Sequence, residues 1–424
     1  MSLPEAVIHT LRCFELSRDR LAKISEEIQK EFTEGLEYGS SKSSIAMLPS
    51  YVPALPDGSE TGKYVAIDLS GKNLRILLLQ LNGKGKEPTT TINNFIVSNT
   101  IMKGTGEQLF NFIVNCLQKF LKEFNLEEAN LPIGFVFSYP CELLSIRSAR
   151  LLWWTKGFDI QDCLQKDVVE LLQEALELNM STKAQIKAVM NDTVGQLASA
   201  AYKYGPECTI GVVIGYGCNS SYLEDTSRIK KFNAQTSNYP HDKMVVVTEW
   251  EEFGIDKLTG ALYLGELVRR MLSQFVIDGL LFGGTQVEKL EYPESFPTKF
   301  ISEILSEEED SFKNCRRICD ELEVVNHGSN DYRIIRAVCH AVSQRSAAIV
   351  AAAICALLRH VDRRKVKIGV GGALIQFHPT YHELLEAQMD MQAPLNVEWE
   401  LVAADEGSAK GAAMIAAVAE KLKL

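Results

Sequence analysis

Two β-rich runs meet at a Ser-Gly turn in the stretch Lys63-Tyr-Val-Ala-Ile-Asp-Leu-Ser-Gly-Lys-Asn-Leu-Arg-Ile-Leu-Leu-Leu-Gln-Leu-Asn-Gly83. This pattern predicts a β-hairpin whose tip carries Asp68, Ser70 and Gly71. Small residues at a tip let backbone N–H groups approach a bound anion, and a lone aspartate can orient a metal-bound water. Taken alone, however, these residues are better explained as a plain hairpin turn.

The strand–turn–strand pattern recurs in the stretch Thr209-Ile-Gly-Val-Val-Ile-Gly-Tyr-Gly-Cys-Asn-Ser-Ser-Tyr-Leu223. The recurrence indicates an internal duplication, so we expect two related lobes. Between the hairpins, the pattern predicts a helix ending near residue 124, a strand at 132–137, a helix at 166–178 and a strand at 186–190. Because strands alternate with helices, the predicted fold class is α/β.

The rest of the chain is predicted to be mostly helical. Apolar residues recur at helical spacing over residues 4–32, which predicts one exposed helix followed by a Gly- and Ser-rich hinge at 35–44. The second half predicts helices at 262–280, 331–360 and 406–422, with one clear strand at 366–370. We place the domain boundary near residues 204–207, between an N-terminal domain of residues 8–204 and a C-terminal domain of residues 206–422.

Length and composition limit the class of protein. A chain of 424 residues is too long for one ordinary core, so two domains with a cleft between them are expected. The chain is 46% hydrophobic and 23% charged, as is typical of soluble globular proteins. Its net charge of −11 argues against a nucleic-acid partner, because binding to phosphate backbones needs clustered Lys and Arg.

Neither membrane insertion nor secretion is expected. The longest apolar run, residues 346–358, is Ala-rich, falls short of transmembrane length and predicts a buried helix. The residues after Met1 show no basic flank followed by an apolar core, which a secretion signal would need. Ten cysteines without regular spacing do not make a disulfide framework, so the predicted compartment is the reducing cytosol.

Candidate site residues lie after one predicted strand and in the loop that follows. Ser138 ends the strand in Phe135-Val-Phe-Ser-Tyr-Pro-Cys141, and Thr155 and Lys156 lie in Trp153-Trp-Thr-Lys-Gly-Phe158. These side chains converge only if both loops face one cleft. Taken alone, Lys156 is more often a solvated surface lysine than a functional one.

A polar pair, Asn191-Asp192, follows the apolar strand at 186–190 and precedes a helix of small residues. In open α/β sheets, ligands bind beyond the carboxyl ends of the strands, which favours a functional role for this pair. The alternative is that Asp192 or Thr193 only caps the helix that follows. The segment by itself does not decide between these two interpretations.

Short motifs along nearly the whole chain resemble those of eukaryotic hexokinases, in the same order. In the first half they are Leu48-Pro-Ser-Tyr-Val-Pro-Ala-Leu-Pro-Asp-Gly58, Asp68-Leu-Ser-Gly-Lys-Asn-Leu-Arg75, Ser138-Tyr-Pro-Cys141, Trp154-Thr-Lys-Gly-Phe158 and Asn191-Asp-Thr-Val-Gly195. In the second half they are Gly215-Tyr-Gly-Cys-Asn219, Glu249-Trp250, Gly265-Glu-Leu-Val268, Thr298-Lys-Phe300, His378-Pro379 and Gly407-Ser-Ala-Lys-Gly-Ala-Ala413. Any one motif would be unconvincing, but the ordered series makes a chance match negligible.

The resemblance implies a two-lobed actin-like ATPase fold, related to ribonuclease H, with a sugar held between the lobes. It implies that Asp192 is the general base that takes the proton from the sugar 6-hydroxyl. It also implies that Lys156 is the cation beside the sugar and the transferring phosphoryl group. The hydrogen-bond partners that it implies for the sugar hydroxyls are Ser138, Thr155, Lys156, Asn191, Asp192, Asn219 and Glu249.

The same resemblance implies the nucleotide site. The residues that correspond to the first phosphate turn are Asp68, Leu69, Ser70, Gly71, Lys72 and Asn73, and those of the second are Gly215, Tyr216 and Gly217. The wall around the nucleoside corresponds to Gly372, Ala373, Gly407 and Ser408. The implied cofactors are ATP and Mg²⁺, and the implied partners are ATP and glucose or another hexose, bound by a monomer without membrane insertion.

The phosphate side departs from the hexokinase pattern. Ser70 replaces the first glycine of the first turn, so backbone approach to a phosphate is less free. Lys72 replaces a hydroxyl residue there and points either to the phosphates or to solvent. In the second turn, Tyr216 replaces a phosphate-facing threonine. Gly371 replaces an aspartate, and Ala373 replaces the hydroxyl residue that follows it.

The sugar side departs in one place. The segment between Glu249 and Glu266 is much shorter than its counterpart in hexokinases, which supplies a glutamine and a second sugar-binding glutamate. Asp256 is the candidate replacement for that glutamate, one methylene shorter. Either the sugar site is weaker, or the sequence comes from an incomplete gene model.

Two functional hypotheses follow from the sequence. The leading one is ATP-dependent phosphorylation of glucose and related hexoses at the 6-hydroxyl, the first step of glycolysis, with Asp192 as general base. The alternative is a catalytically weak or inactive hexokinase-like protein that binds or senses sugar, and the departures on the phosphate side favour it.

Overall fold

The computed structural model describes residues 3–127, 129–179, 184–232, 239–251, 253–308, 311–404 and 407–424. In these residues the strands, in chain order, are β1 (Leu48–Pro49), β2 (Thr61–Ser70), β3 (Asn73–Asn82), β4 (Thr89–Ile96), β5 (Pro132–Phe137), β6 (Cys141–Ser145), β7 (Ser148–Leu151), β8 (Gln185–Met190), β9 (Cys208–Ile214), β10 (Cys218–Asp225), β11 (Lys243–Val247), β12 (Lys365–Gly371) and β13 (Glu398–Ala403).

The α-helices of the described residues, in chain order, are α1 (Glu5–Arg12), α2 (Arg18–Tyr38), α3 (Asn99–Met102), α4 (Gly106–Glu123), α5 (Val168–Asn179), α6 (Asp192–Tyr204), α7 (Ile255–Thr259), α8 (Ala261–Ile277), α9 (Thr298–Leu305), α10 (Lys313–Glu321), α11 (Ser329–Val361), α12 (Ala373–Phe377), α13 (Tyr381–Gln392) and α14 (Gly407–Leu422). The predicted α/β class is therefore confirmed.

The first sheet has the strand order β4-β3-β2-β5-β8. Strands β2 and β3 form the predicted hairpin, and Ser70 pairs with Asn73 at its tip. Strands β5 and β8 run parallel to β2, so their carboxyl ends lie at the same edge as that tip. This arrangement explains why polar residues after three separate strands reach one place.

The second sheet has the order β1-β11-β10-β9-β12-β13 and contains the second predicted hairpin, β9 and β10. The sequence predicts one clear strand after this hairpin, β12, but the structure adds β11 and β13. Strand β13 was missed because it is short, lies at the sheet edge and alternates charged with apolar residues. Each sheet therefore carries a hairpin followed by parallel strands, as the predicted duplication requires.

Two helices separate the sheets. Helix α14 packs on β2, β5 and β8 of the first sheet, while α6 packs on β9 and β12 of the second. The two helices cross so closely that a Cβ on Gly411 would lie 1.7 Å from the carbonyl oxygen of Gly195. Glycine at both positions permits this backbone contact, and the sheets are thereby held on either side of one helical layer. This is the two-lobed, actin-like arrangement.

The division of the chain into lobes does not follow its linear order. Helix α2 packs along α11, and β1 pairs with β11, so residues before position 50 join the core of the second sheet. Conversely, α14 covers the first sheet although it is the last helix of the chain. The boundary proposed at 204–207 separates the strands of the two sheets in sequence except for β1, but it does not separate the two packing units.

The predicted N-terminal helix is wrong in two respects. It consists of two helices, and the second begins after Ser17, whose side chain accepts a hydrogen bond from the backbone of Arg20. The proposed hinge from residue 35 is still helix as far as Tyr38. Gly35 serves close packing there, since a Cβ on it would lie 2.2 Å from the carbonyl oxygen of Ile45.

Candidate active site

A cleft of about 2890 Å³ lies at the carboxyl ends of both sheets. The predicted site residues that line it are Asp68, Ser70, Gly71, Lys72, Asn73, Ser138, Thr155, Lys156, Asn191, Asp192, Gly215, Tyr216, Gly217, Asn219, Glu249, Gly372, Ala373, Gly407 and Ser408. Leu69 does not line the cleft. Its side chain is fully buried in the core of the first sheet, because successive side chains of β2 point to opposite faces.

Asp192 opens α6, directly after β8. The residue that caps this helix is Asn191, whose side-chain oxygen accepts hydrogen bonds from the backbone and the hydroxyl of Thr193 at 2.9 and 2.8 Å. The capping interpretation of Asp192 and Thr193 is therefore wrong. Burial raises the pKa of Asp192, while the charge of Lys156 opposes the rise and that of Asp68 adds to it.

Lys156 connects two loops across the cleft. Its Nζ donates a hydrogen bond to the carbonyl oxygen of Ser138 at 2.7 Å and lies 5.5 Å from the centre of the Tyr139 ring. The backbone of Lys156 has a φ of 56°, which is rare for a residue with a side chain and is typical of functional sites. The loops after β5 and β7 therefore face one cleft, as the functional interpretation required.

Aromatic packing holds the Lys156 loop in place. Trp154 stacks on Phe158 with ring centres 5.3 Å apart, and Tyr139 packs against the Trp154 ring edge-on. The Trp154 indole also donates a hydrogen bond to the carbonyl oxygen of Ile160 at 2.7 Å. Trp154 is thus a support for the loop, and it does not line the cleft.

Glu249 lies at the centre of a polar cluster contributed by three segments. Its Oε1 accepts hydrogen bonds from the side-chain amides of Asn219 at 2.9 Å and Asn191 at 3.4 Å. Its backbone, at a φ of 53°, donates to the side-chain oxygen of Asn219 at 3.0 Å. Burial raises the pKa of Glu249 to about 8, helped by the charges of Glu251 and Asp192.

The first turn is organised around the buried carboxylate of Asp68. One oxygen accepts a hydrogen bond from the hydroxyl of Ser70 at 2.5 Å, and the other accepts one from the hydroxyl of Ser408 at 2.9 Å. Gly71 has a φ of 63°, so it is the residue that makes the turn possible. Lys72 is exposed and lines the cleft, which leaves both of its predicted orientations open.

The second turn is attached to a helix. The carbonyl oxygens of Gly215 and Tyr216 accept hydrogen bonds from the first backbone N–H groups of α8, at 2.9 and 3.1 Å. Tyr216 is 68% exposed, so the phenol that replaces a small hydroxyl residue does not fill the turn. Gly372, at a φ of 100°, would bring a Cβ within 2.6 Å of the backbone of Ile214, so this wall also needs a glycine.

Gln196 and Glu251 are among the residues that line the cleft but were not predicted as site residues from the sequence. Gln196 follows Asp192 by four positions on α6, which places both on one face of that helix. That spacing was the available signal. The proposed replacement for a second glutamate, the side chain of Asp256, lies outside the described part of the structure.

Models of the hexokinase family match most of the chain. One described as "Hexokinase" matches residues 6–202, and a second with the same description matches 209–256 and 254–418. The second match divides inside the segment between Glu249 and Glu266.

Curated relatives and solved structures are similar over almost the whole chain. The hexokinase of Brugia malayi is 38% identical over 97% of this chain and 76% of its own length. Human Hexokinase HKDC1 is 35% identical, but this chain spans about half of its length, 48%. The hexokinase of Schistosoma mansoni is 33% identical over 97% of both chains, and its structure complexed with glucose superposes with a TM-score of 0.88 over 98% of both.

Proposed function

Because this chain belongs to the hexokinase family, we propose that it transfers the terminal phosphoryl group of ATP to the 6-hydroxyl of glucose and related hexoses. The observation that carries the proposal is the meeting of Asp192, Lys156 and Glu249 in one cleft between the two sheets. These residues come from segments far apart in the sequence, and their combination supplies a base, a cation and a sugar anchor.

The sugar site is built from hydrogen-bonding side chains. Asn191, Asn219 and Glu249 already form one network, which fixes their orientation before a sugar arrives. Ser138 and Thr155 line the cleft from the loops that follow β5 and β7. Such a preorganised set holds a polyhydroxyl ring and positions one hydroxyl beside Asp192.

Asp192 acts as the general base in this proposal. Burial raises the pKa of its carboxyl, and a base works best when its pKa approaches the working pH. The charge of Lys156 opposes this rise in the pKa of Asp192 and brings fixed positive charge to the place where the phosphoryl group transfers. The proton of the sugar hydroxyl passes to the Asp192 carboxylate as the hydroxyl oxygen bonds to the terminal phosphorus of ATP, and the bond from that phosphorus to its bridging oxygen breaks, so that ADP leaves.

The two turns hold the triphosphate. Ser70 and Gly71 of the first turn, Gly215 and Gly217 of the second turn, and Ser408 line this side of the cleft, and both serine hydroxyls are hydrogen-bonded to Asp68. Among the described residues no group of three or more metal-binding side chains occurs. A magnesium ion would therefore be held through the ATP phosphates, with Asp68 as the carboxylate of the first turn, and would offset phosphate charge.

We further propose a cytosolic monomer that does not insert into membranes. Among the described helices, α11 is long and apolar enough to span a bilayer. However, 83% of its most apolar 18-residue segment is buried inside the protein. All ten cysteines are free thiols, which suits a reducing compartment.

The test is glucose 6-phosphate formation by the purified chain with MgATP over a wide glucose range, comparing the wild type with Asp192→Asn. We expect kcat to fall at least ~100-fold in Asp192→Asn, because the base is lost while the shape is kept. Glucose should still stabilise this variant against heat. A matched control is Asp278→Asn, an exposed carboxyl at the end of α8. Undiminished turnover in Asp192→Asn would remove Asp192 from its role, and no turnover in the wild type would leave a sugar-binding protein.

A further inference from the structure

Gln196 presents an unused hydrogen-bond donor inside the cleft. The residue is 2% exposed, and its side-chain Nε2 has no hydrogen-bond partner in the described structure. A buried amide without a partner destabilises the fold, so such groups are rare in folded proteins. Gln196 also lines the cleft, so its buried donor lies in the wall that a bound ligand contacts.

Two glycines make room for this amide. A Cβ on Gly371 would lie 2.5 Å from the Oε1 of Gln196, and a Cβ on Gly407 would lie 2.0 Å from the same atom. No side chain can therefore stand at either position while the amide is in place. In the hexokinase pattern an aspartate stands at position 371. Here the neutral side-chain amide of Gln196 occupies the space beside the end of β12 that the side chain of that aspartate would need.

The location of the amide indicates its ligand. Gln196 lies one helical turn beyond Asp192, about 6 Å further along α6. It faces the carboxyl end of β12 and the amino-terminal end of α14. This is the side of the cleft where Ser408 contacts Asp68. The amino-terminal end of α14, which begins at Gly407, carries partial positive charge and favours an anion. A donor facing this region is suited to a phosphate oxygen.

We propose that the side-chain amide of Gln196 donates a hydrogen bond to a phosphate oxygen of the bound nucleotide. The proposal rests on the proposed phosphoryl transfer, since that function brings a nucleotide to this side of the cleft. Gln196 is then a nucleotide-binding residue of this chain, and Gly371 and Gly407 are the small residues that permit it.

The first experiment measures binding without turnover. Isothermal titration calorimetry is run on the full chain with a non-hydrolysable MgATP analogue, with adenosine and with glucose. The variants are Gln196→Met, which keeps the shape without a donor, and Gln196→Glu, which replaces the donor by a charge. We expect both to weaken binding of the analogue about tenfold to a hundredfold, because a hydrogen bond to a charged group is lost. Adenosine and glucose affinities should stay within about twofold.

Three outcomes would overturn the inference. Unchanged affinity for the analogue would mean that only water meets the amide. Equal weakening for the analogue and adenosine would show a structural role for Gln196, since adenosine has no phosphate. Weakened glucose binding would place the amide on the sugar side. Failure of the wild type to form glucose 6-phosphate would count against the proposed function, whereas calorimetry would still report the contact itself.

A second experiment tests the role of Gly371. Gly371→Ala should weaken binding of the MgATP analogue as Gln196→Met does, because the added Cβ displaces the amide. In a Gln196→Ala background the same substitution should cause little further loss, since the conflict is gone. Fully additive losses would show that Gly371 does not act by making room for Gln196.

Discussion

Glu249→Gln is expected to change how the stability of this protein depends on pH. In the folded protein the pKa of Glu249 is raised to about 8 from an ordinary value of 4.5, chiefly by burial. Between these two values the folded state binds a proton that the unfolded state has lost. The free energy of unfolding therefore falls as the pH rises from about 4.5 to about 8 and levels off above that range.

The size of the effect follows from the same values. Each pH unit between 4.5 and about 8 contributes at most ~1.4 kcal/mol, so the upper limit is ~5 kcal/mol. Glu249 is partly exposed at the surface of the cleft, so solvent screening reduces this figure. We therefore expect the pH-dependent contribution of Glu249 to the free energy of unfolding to be ~2 kcal/mol. Glutamine cannot ionise, so Glu249→Gln removes this part of the slope, while the raised pKa of Asp192 leaves some slope in both proteins.

The assay is urea denaturation of the wild type and Glu249→Gln at several values between pH 5 and pH 9. Glu174→Gln, on the exposed face of α5, is the matched control. The wild type should lose stability relative to Glu249→Gln as the pH rises, so the difference between the two free energies of unfolding changes with pH. Parallel curves, separated by the same free energy at every pH, would refute the reasoning.

Two further predictions concern the second turn and the crossing of the central helices. Tyr216→Thr adds a small hydroxyl donor where the family has one, so the KM for MgATP should fall by up to ~tenfold in steady-state kinetics; Tyr216→Phe should have little effect because the ring is 68% exposed. A rise in KM with Tyr216→Thr would show that the phenol itself contacts the nucleotide. Gly411→Ala forces a Cβ to 1.7 Å from the Gly195 oxygen and should destabilise the fold by at least ~2 kcal/mol in urea denaturation. Gly328→Ala, which meets open space, should cost less than ~1 kcal/mol, and equal losses in the two variants would contradict the packing argument.

Helix bounds are the feature that the sequence predicts least accurately. Residues 4–32 have continuous helical spacing of apolar residues, which predicts one helix, but the chain breaks near Ser17 and then continues to Tyr38. A serine that caps a helix and one that lies within it look alike in sequence. The predicted hinge at Gly35 is wrong for a similar reason, because the contact of Gly35 with Ile45 depends on a segment ten residues away in the chain.

The sequence by itself determined the local features of this protein. The two hairpins, the alternation of strands and helices, and the polar residues that follow β5 and β8 are readable because each depends on neighbours in the chain. The ordered motifs likewise identify the family, since their spacing is a property of the sequence. Asp192 and Lys156 are therefore candidates on the sequence alone.

Only the tertiary structure decided what these residues do together. The contact of Ser408 with Asp68 joins positions 340 apart, and the Glu249 cluster joins three segments, so no periodicity encodes them. The pKa directions depend on burial, which the fold creates. The unpaired amide of Gln196 becomes visible only beside Gly371, because a space shared by distant backbones is a property of packing, and packing is decided by the whole chain at once.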